Sequence, residues 1–377
     1  MTTYPLVNIQ QKVFFEVGVL GRGQPIPVIS DRVPSAPVLD LELKTSVSDA
    51  KMIKVTGVFI GNDLLHDVLL PALRQPRPHL GVRWWVGDRP TDWEPFYVAE
   101  YKFDPGTIAQ SSGQVQVFFT LYDLLYELGV NRNIGAHSGT ISQIVSRVLG
   151  KNKLDVVVED SLVRFTMLQC MESDLSFIRR IGRYAVNKSG AGGYRLYKLG
   201  NKVHFHTAGY AQSTAWHLSM VASALKPVYE GSERANMRMG SAGAEALSFD
   251  PVTGVYTSVV SKPPQESSRI YPQFERAAIE STPATQPVEK SACWAQSAYD
   301  EISQQSFKLV FSLDNQPLVV ANDTVNVEFP YRSPYSGTYT VTHANATFRA
   351  KKGWVTQVIL ARGYHQKVTE VNQLSAS

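Results

Sequence analysis

At 377 residues and 41.8 kDa the chain is too long for one small module, and at roughly 150 residues per domain it divides into two or three. Apolar residues make up 44%, charged residues 19%, and aromatics comprise 17 Tyr, 16 Phe and 6 Trp, which excludes a disordered chain and supplies several cores. The net charge of +4 is unevenly spread: residues 1–130 sum to −3, 131–210 to +7 and 211–377 to 0. The 12 basic residues of the middle stretch are scattered, as on a solvated face or protein contact, rather than gathered into a nucleic-acid stripe.

Cys170 and Cys293 lie far apart in apolar surroundings, so they read as two buried thiols and build neither a disulfide framework nor a four-cysteine zinc site. The N-terminus lacks the basic and apolar regions of a signal peptide, and no stretch approaches the roughly 18 uninterrupted apolar residues of a membrane span. These features predict a soluble protein made in the cytoplasm.

Residues 1–37 are set apart as an N-terminal segment. From Val38 the chain alternates, with Leu39, Leu41 and Leu43 on one side of a predicted strand and Ile53, Val55 and Phe59 in the next. Asn62 or Asp63 then offers a cap to a short helix. Val82, Trp84 and Val86 alternate before a Gly87-Asp88-Arg89-Pro90 turn, and residues 96–103 and 115–121 supply two more strands. Five strands and one short helix over 38–128 predict a small β-barrel or sandwich.

At Leu124, Leu125 and Leu128 the spacing becomes helical, and Gly129 stops it. Ser138 or Thr140 can cap a helix whose Ile141, Ile144, Val145, Val148 and Leu149 share one face before Gly150. Ser173 can cap another that turns Leu175, Ile178, Ile181 and Tyr184 inward and Arg179, Arg180 and Arg183 outward. It breaks at Asn187 through Gly193, which read as a flexible connector. Tyr194 and Leu196 then alternate against Val203 and Phe205 around Gly200-Asn201, a two-residue hairpin loop. Residues 129–210 thus form an α+β middle domain.

In 211–283 only 246–249 and 254–260 read as strands, and Pro263 to Pro287 reads as a long loop. Trp294, Ala298 and Ile302 recur every fourth residue in a predicted helix over 289–305. Strands at 307–313, 324–329, 337–341 and 354–360 complete a second barrel over 211–377. The fold class expected is α+β, mainly β, with two small barrels flanking an α/β middle.

His204 and His206 alternate on one strand and so share a face, with His217 beyond, making the best metal constellation in the chain. Without a placed carboxylate or cysteine the hairpin pair reads as solvent-facing. Asp63, His66 and Asp67 fit a helix start better than a ligand set. The sequence has no Gly-x-Ser-x-Gly, no Gly-x-x-x-x-Gly-Lys and no His-Glu-x-x-His. Ser189 to Gly193 follows a helix and precedes a strand, the reverse of a phosphate loop. Glu159-Asp160 and Asp300-Glu301 are surface-type acidic pairs without glycosidase spacing. No catalytic, metal or cofactor residue is assigned. In Trp84-Trp85, adjacent strand residues face opposite ways, so one ring fits the core and the other an interface, or both are half-buried within one domain.

The run from Phe165 to Tyr184, the glycine-rich break and the hairpin from Tyr194 resemble the contractile-tail baseplate hub family, which includes phage late-control D-type tail proteins and the hub portion of type VI secretion spike proteins. Gln169, Glu172, Ser173, Asp174, Leu175, Phe177, Ile178, Arg179 and Arg180 match its helix pattern, Gln-x-x-Glu-Ser-Asp-hydrophobic-x-Phe-hydrophobic followed by basic residues. The order barrel, helix, motif, second barrel covers nearly the whole chain; residues 1–37 and the proline-rich 263–287 depart from it.

The resemblance implies a non-enzymatic homotrimer whose six barrels close a pseudo-sixfold ring. It would join a hexameric tail tube to a trimeric spike, with a lumen for the tape measure and, transiently, DNA. It implies a virion baseplate location, with tube, spike and wedge proteins as partners and no membrane. Because the chain ends soon after its last barrel strand, a separate spike protein is expected. Other readings are a tailocin or type VI-like hub, a tail-associated cell-wall hydrolase, and a carbohydrate-binding module using exposed Trp84, Trp216 and Trp354.

Overall fold

The computed structural model describes residues 3–5, 13–21, 24–30, 32, 37–104, 114–208, 210, 215–219, 244–249, 256–262, 275–279, 287–303, 307–314, 317–329, 336–350, 353–362 and 368–374, less 48, 61, 62 and 153. The N-terminal third holds β1 (Thr3–Pro5), β2 (Val13–Val19), β3 (Ile26–Ser30), β4 (Val38–Ser46) and β5 (Met52–Ile60). A π-helical stretch, Leu64–Leu69, runs into α1 (Leu70–Leu73), followed by β6 (His79–Val86), β7 (Arg89–Pro90), β8 (Glu94–Asp104), β9 (Gln114–Asp123) and α2 (Leu125–Leu128). The middle contains β10 (Arg132–Thr140), α3 (Ile141–Lys151), β11 (Asp155–Val158), β12 (Arg164–Ser173), α4 (Asp174–Gly182), β13 (Arg195–Leu199) and β14 (Lys202–His206). After it come β15 (Ala215–Ser219), β16 (Ala244–Phe249), β17 (Tyr256–Lys262), β18 (Glu275–Ile279) and α5 (Pro287–Ser303). The chain closes with β19 (Phe307–Asp314), β20 (Thr324–Glu328), β21 (Gly337–Arg349), β22 (Gly353–Arg362) and β23 (Val368–Leu374). The class is α+β, mainly β, as the alternation predicts.

One 14-stranded sheet joins strands of the N-terminal third to β15 and β19–β22, in the order β1-β15-β20-β21-β4-β5-β9-β8-β6-β2-β3, with β22 on β21 and β19 on β22, while β23 lies in a separate four-stranded sheet. Its seam is β21. That strand pairs through Gly337–Thr340 with β20 and through His343–Arg349 with β4, so residues about 300 apart in sequence share a ladder. The irregularity between Val341 and His343 against β22 marks the change of partner. Ala346 and Trp354 enter the core of Phe15, Leu41, Val55 and Phe96, whereas Ala344, Val358 and Leu360 enter that of Trp216, Phe311 and Tyr339.

In β4 a bulge between Val38 and Asp40 breaks the expected alternation: Leu41 and Leu43 are buried and Leu39 is half-buried. β2 and β3 add Phe15, Val17, Val28 and Ile29 to the first core. The expected Asp63 cap is not made; its side chain gives no cap hydrogen bond, and Asn62 lies outside the described residues. The segment 263–287, expected as loop, contains β18, paired parallel with β16, and ends as α5 begins at Pro287. β23, which lies beyond the last predicted strand, pairs with β17 over seven residues. α5 lays Trp294, Ala295, Ala298 and Tyr299 on Ala244, Ala246 and Val259 of this small sheet.

In the middle, Thr140 forms a full capping box with Gln143. The buried face of α3 (Ile141, Ile144, Val145, Val148, Leu149) packs with Phe177, Ile178 and Ile181 of α4 and Val203 and Phe205 of β14. Phe177, not Tyr184, is the wholly buried aromatic of α4, because positions 174, 177, 178 and 181 share its inner face. Gly200 has φ +56° in the β13–β14 turn, the left-handed geometry that a two-residue hairpin loop requires.

Candidate functional site

The motif residues occupy a strand-to-helix junction rather than a helix alone. Gln169 and Glu172 end β12, Ser173 caps α4 by accepting from the Ser176 N–H, and Asp174 opens the helix. The buried Asp174 carboxylate accepts from Gln169 Nε2 at 2.9 Å, Asn133 Nδ2 at 2.9 Å and Asn152 Nδ2 at 3.1 Å. One side chain thereby ties β10, α3, β12 and α4 together. Gln169 Nε2 also donates to the Glu172 carbonyl at 3.2 Å, and its Oε1 meets His137 at 3.2 Å. Met171, at φ 51°, is the extra residue of a bulge where the register jumps from Asn133–Glu172 to Ile134–Cys170. The bulge is what lets Gln169 and Glu172 converge on the helix start.

Arg180 turns back over the Phe177 ring, 5.4 Å from its centroid, and grips Glu172 and the Leu168 carbonyl. Hydrogen bonding to Glu172 raises the Arg180 pKa despite partial burial. Arg179 reaches Asp49 of the N-terminal part at 3.4 Å, Leu175 is half-buried, and Arg179, Arg180 and Arg183 are exposed as expected. Cys170 is exposed, contrary to expectation, because it alternates with the inward-facing Gln169; Cys293 is buried.

The histidine pair is buried, not solvent-facing, because β14 is the central strand of β11-β14-β13 and is covered on both faces. His206 Nδ1 faces the Thr207 carbonyl at 2.7 Å, and its Nε2 receives Tyr197 Oη at 3.1 Å and lies 3.2 Å from His204 Nδ1. Burial, with His206 beside it, pulls the His204 pKa down to about 4. His217 lies apart on β15, 3.5 Å from Glu328. Among the described residues no group of three His, Cys, Asp or Glu side chains is placed to hold a metal ion. Glu159, expected on the surface, is buried; it accepts from Thr207 N and Oγ1, both at 2.8 Å, and from Asn187 Nδ2 at 2.7 Å.

The expected flexible connector is held. Asn187 Oδ1 accepts from the N–H groups of Ser189 and Ala191, Asp300 from Gly192 N at 2.6 Å, and Ser297 from Gly193 N at 3.0 Å. A Cβ at Gly192 would stand 2.5 Å from Ser297 Cα, so glycine permits the approach to α5. Trp84 and Trp85 are both half-buried: Trp84 packs on Phe15 and Trp354, and Trp85 lies under Arg32 at 4.1 Å and Arg83 at 4.8 Å. Trp216 and Trp354 are buried, which removes the exposed aromatic platform of the carbohydrate reading. Asp63 and His66 remain exposed on the π-helical stretch, and Asp67 belongs to its first turn.

Sequence reasoning missed a charge cluster between the hairpin and the N-terminal sheet. Lys198 has a wholly buried side chain whose Nζ donates to Glu94 Oε1 at 2.7 Å; Lys51 Nζ contacts both Glu94 oxygens at 3.1 Å. Burial alone would raise the Glu94 pKa, but Lys51 and Lys198 hold it below the ordinary value. Burial raises Asp123 beside them to about 6, against the Lys51 N–H that it accepts, and raises Asp323 to about 7 although Val320 N–H and Trp216 Nε1 donate to it. Glu94 and Lys198 stand 104 residues apart, and no local pattern pairs them.

A fold in which strands of the N-terminal third and strands near the C-terminus share one sheet is also found in solved tail proteins. The 43 kDa tail protein of prophage MuSo2 from Shewanella oneidensis superposes with TM-score 0.58 at 11% identity, over 92% of this chain and 98% of that one. The tail protein from Neisseria meningitidis gives 0.57 at 9%, over 92% and 96%. An Escherichia coli component of the type VI secretion system, described as structurally similar to two bacteriophage T4 tail proteins, gives 0.54 at 12%, over 93% and 77%. No protein-family model and no curated protein matches the sequence.

Proposed function

We propose that this chain is the structural hub of a phage-type tail baseplate. The observation that carries the reading is the two-way overlap with tail proteins, over nine-tenths of both chains, on a fold whose N-terminal strands share a sheet with β19–β22. In this reading residues 38–128 and 211–377 are two tube-like units flanking the 129–210 middle, and three copies place six such units in a ring of pseudo-sixfold symmetry. The ring joins a hexameric tail tube to a separate trimeric spike. Its lumen passes the tape measure and then DNA, and wedge proteins dock outside. The work is mechanical and has no catalytic residue.

The likeness to a type VI secretion component and to a Francisella VgrG complex supports the same role in a related injection device as the second reading. Electron microscopy of the purified chain mixed with its candidate spike tests the proposal. A threefold ring capping the spike is expected; particles that stay single copies beside free spikes refute it.

A further inference from the structure

A cavity of about 420 Å³, open on one side, lies where α4, the β13–β14 hairpin, α5 and the β19-β22-β21 face meet. Its floor is apolar, with Ile178, Phe205 and Ile359. Its charged lining is one-sided: Arg179, Arg183, Arg195 and Lys308, with His343, face the single carboxylate of Glu301 among the lining residues. Arg179 pairs with the exposed Asp49 at 3.4 Å, and Arg195 donates to Asn322 Oδ1 at 3.3 Å. The lining thus carries four cationic side chains to one carboxylate, and an acidic group entering the concavity meets a potential of complementary sign in a medium of lower dielectric than water. Burial already pulls the Arg195 pKa down to about 10, with Tyr197 and Glu301 opposing the shift.

We infer that this cavity is a docking pocket for an acidic peptide segment with an apolar centre, carried by a separate partner chain. The inference rests on the hub reading, in which outer proteins attach to the ring. The apolar floor takes one or two hydrophobic side chains, and the cationic rim takes the flanking carboxylates by charge-assisted hydrogen bonds. A single-stranded nucleic acid instead follows a groove with aligned cations and stacking platforms, whereas these cations converge on one concavity.

The test uses the full chain and a fluorescein-labelled Asp-Leu-Phe-Glu-Asp-Leu peptide in fluorescence anisotropy, with an Asn/Gln counterpart and a labelled oligo-dT as comparisons. Saturable binding of the acidic peptide is expected, weakened roughly tenfold or more in the neutral peptide and in Arg183→Glu or Lys308→Glu, and unchanged in Lys102→Glu on β8. If either charge reversal fails to keep the parent's native mass and thermal unfolding, the Arg183→Gln/Lys308→Gln pair replaces it. Unchanged affinity in the folded variants overturns the inference, as does oligo-dT binding as tightly and losing affinity in the same variants. Native mass, taken with and without the spike, separates the two ideas: a trimer that ignores the peptide overturns this pocket alone, and a chain that stays monomeric in both conditions yet binds the peptide overturns the hub alone.

Discussion

Replacing Lys198 with Met tests whether the hairpin is locked to the N-terminal sheet by charge. Met fills much of the same volume, so the change mainly removes the ammonium that donates to Glu94 at 2.7 Å. With an effective dielectric of about 20, two unit charges at this separation attract by about 6 kcal/mol, most of which goes to stripping water from both ions. Breaking a buried pair typically costs about 3–5 kcal/mol because the remaining charge is stranded. Here Lys51 still contacts both Glu94 oxygens at 3.1 Å, so the expected loss is about 2–3 kcal/mol. Because a chain of several cores need not unfold in one step, hydrogen exchange should be followed at β8 and β13 alongside urea unfolding. Lys198→Met should accelerate exchange at both, and the cycle with Glu94→Gln should give a coupling above about 1 kcal/mol. Stability within about 0.5 kcal/mol of the parent, with β8 and β13 protected as before, would refute the argument.

Asp174→Ala removes the shared acceptor of three side-chain amides, of which the buried Gln169 is stranded at a cost of about 1–3 kcal/mol while the exposed Asn133 and Asn152 turn to water; exchange in α3 and α4 should rise together, and a change confined to the first turn of α4 would contradict the tie. Asp123 and Asp323 hold protons in the folded state that the unfolded chain releases near pH 4, so their contribution is full below that value and lost as pH rises towards about 6 and about 7. Glu94, held low, acts oppositely, and its contribution is lost only as pH falls through its depressed folded value. Between about pH 5 and about pH 8 His204 and His206, whose pKa values burial depresses, act against this loss, so the variant is set against the parent: Asp323→Asn, which keeps an acceptor for Val320 N–H and Trp216, should gain on the parent in urea midpoint as pH rises from about 5 to about 8, and a variant that loses ground at about pH 8 would contradict this. A maleimide should label the exposed Cys170 promptly and spare Cys293, whose thiol burial pushes up to about 12; mass spectrometry finding the reverse would contradict the burial pattern.

Local signals made much of this fold legible. Alternation marked β4, β5, β8 and β9, and the Thr140 and Ser173 caps marked the starts of α3 and α4, because each depends on residues within a few positions. What stayed hidden is long-range. The seam at β21 joins partners about 300 residues apart, and the short β15, β18 and β23 gain their order from strands elsewhere in the chain. The motif residues were visible as a pattern, yet the bulge at Met171 that turns a strand end into part of the site leaves no mark in an L-residue sequence. His204 and His206 misled because strand alternation predicts a shared face, while a central strand of a covered sheet buries both faces. Lys198 gave no signal, since a lysine in a short strand ordinarily lies exposed and only its distant carboxylate explains the burial.

The native mass of the purified chain, by light scattering with and without its spike partner, tests the hub account most directly. The account predicts about 125 kDa, three times 41.8 kDa, either for the chain alone or once the spike is added. A chain that stays near 41.8 kDa in both conditions contradicts it.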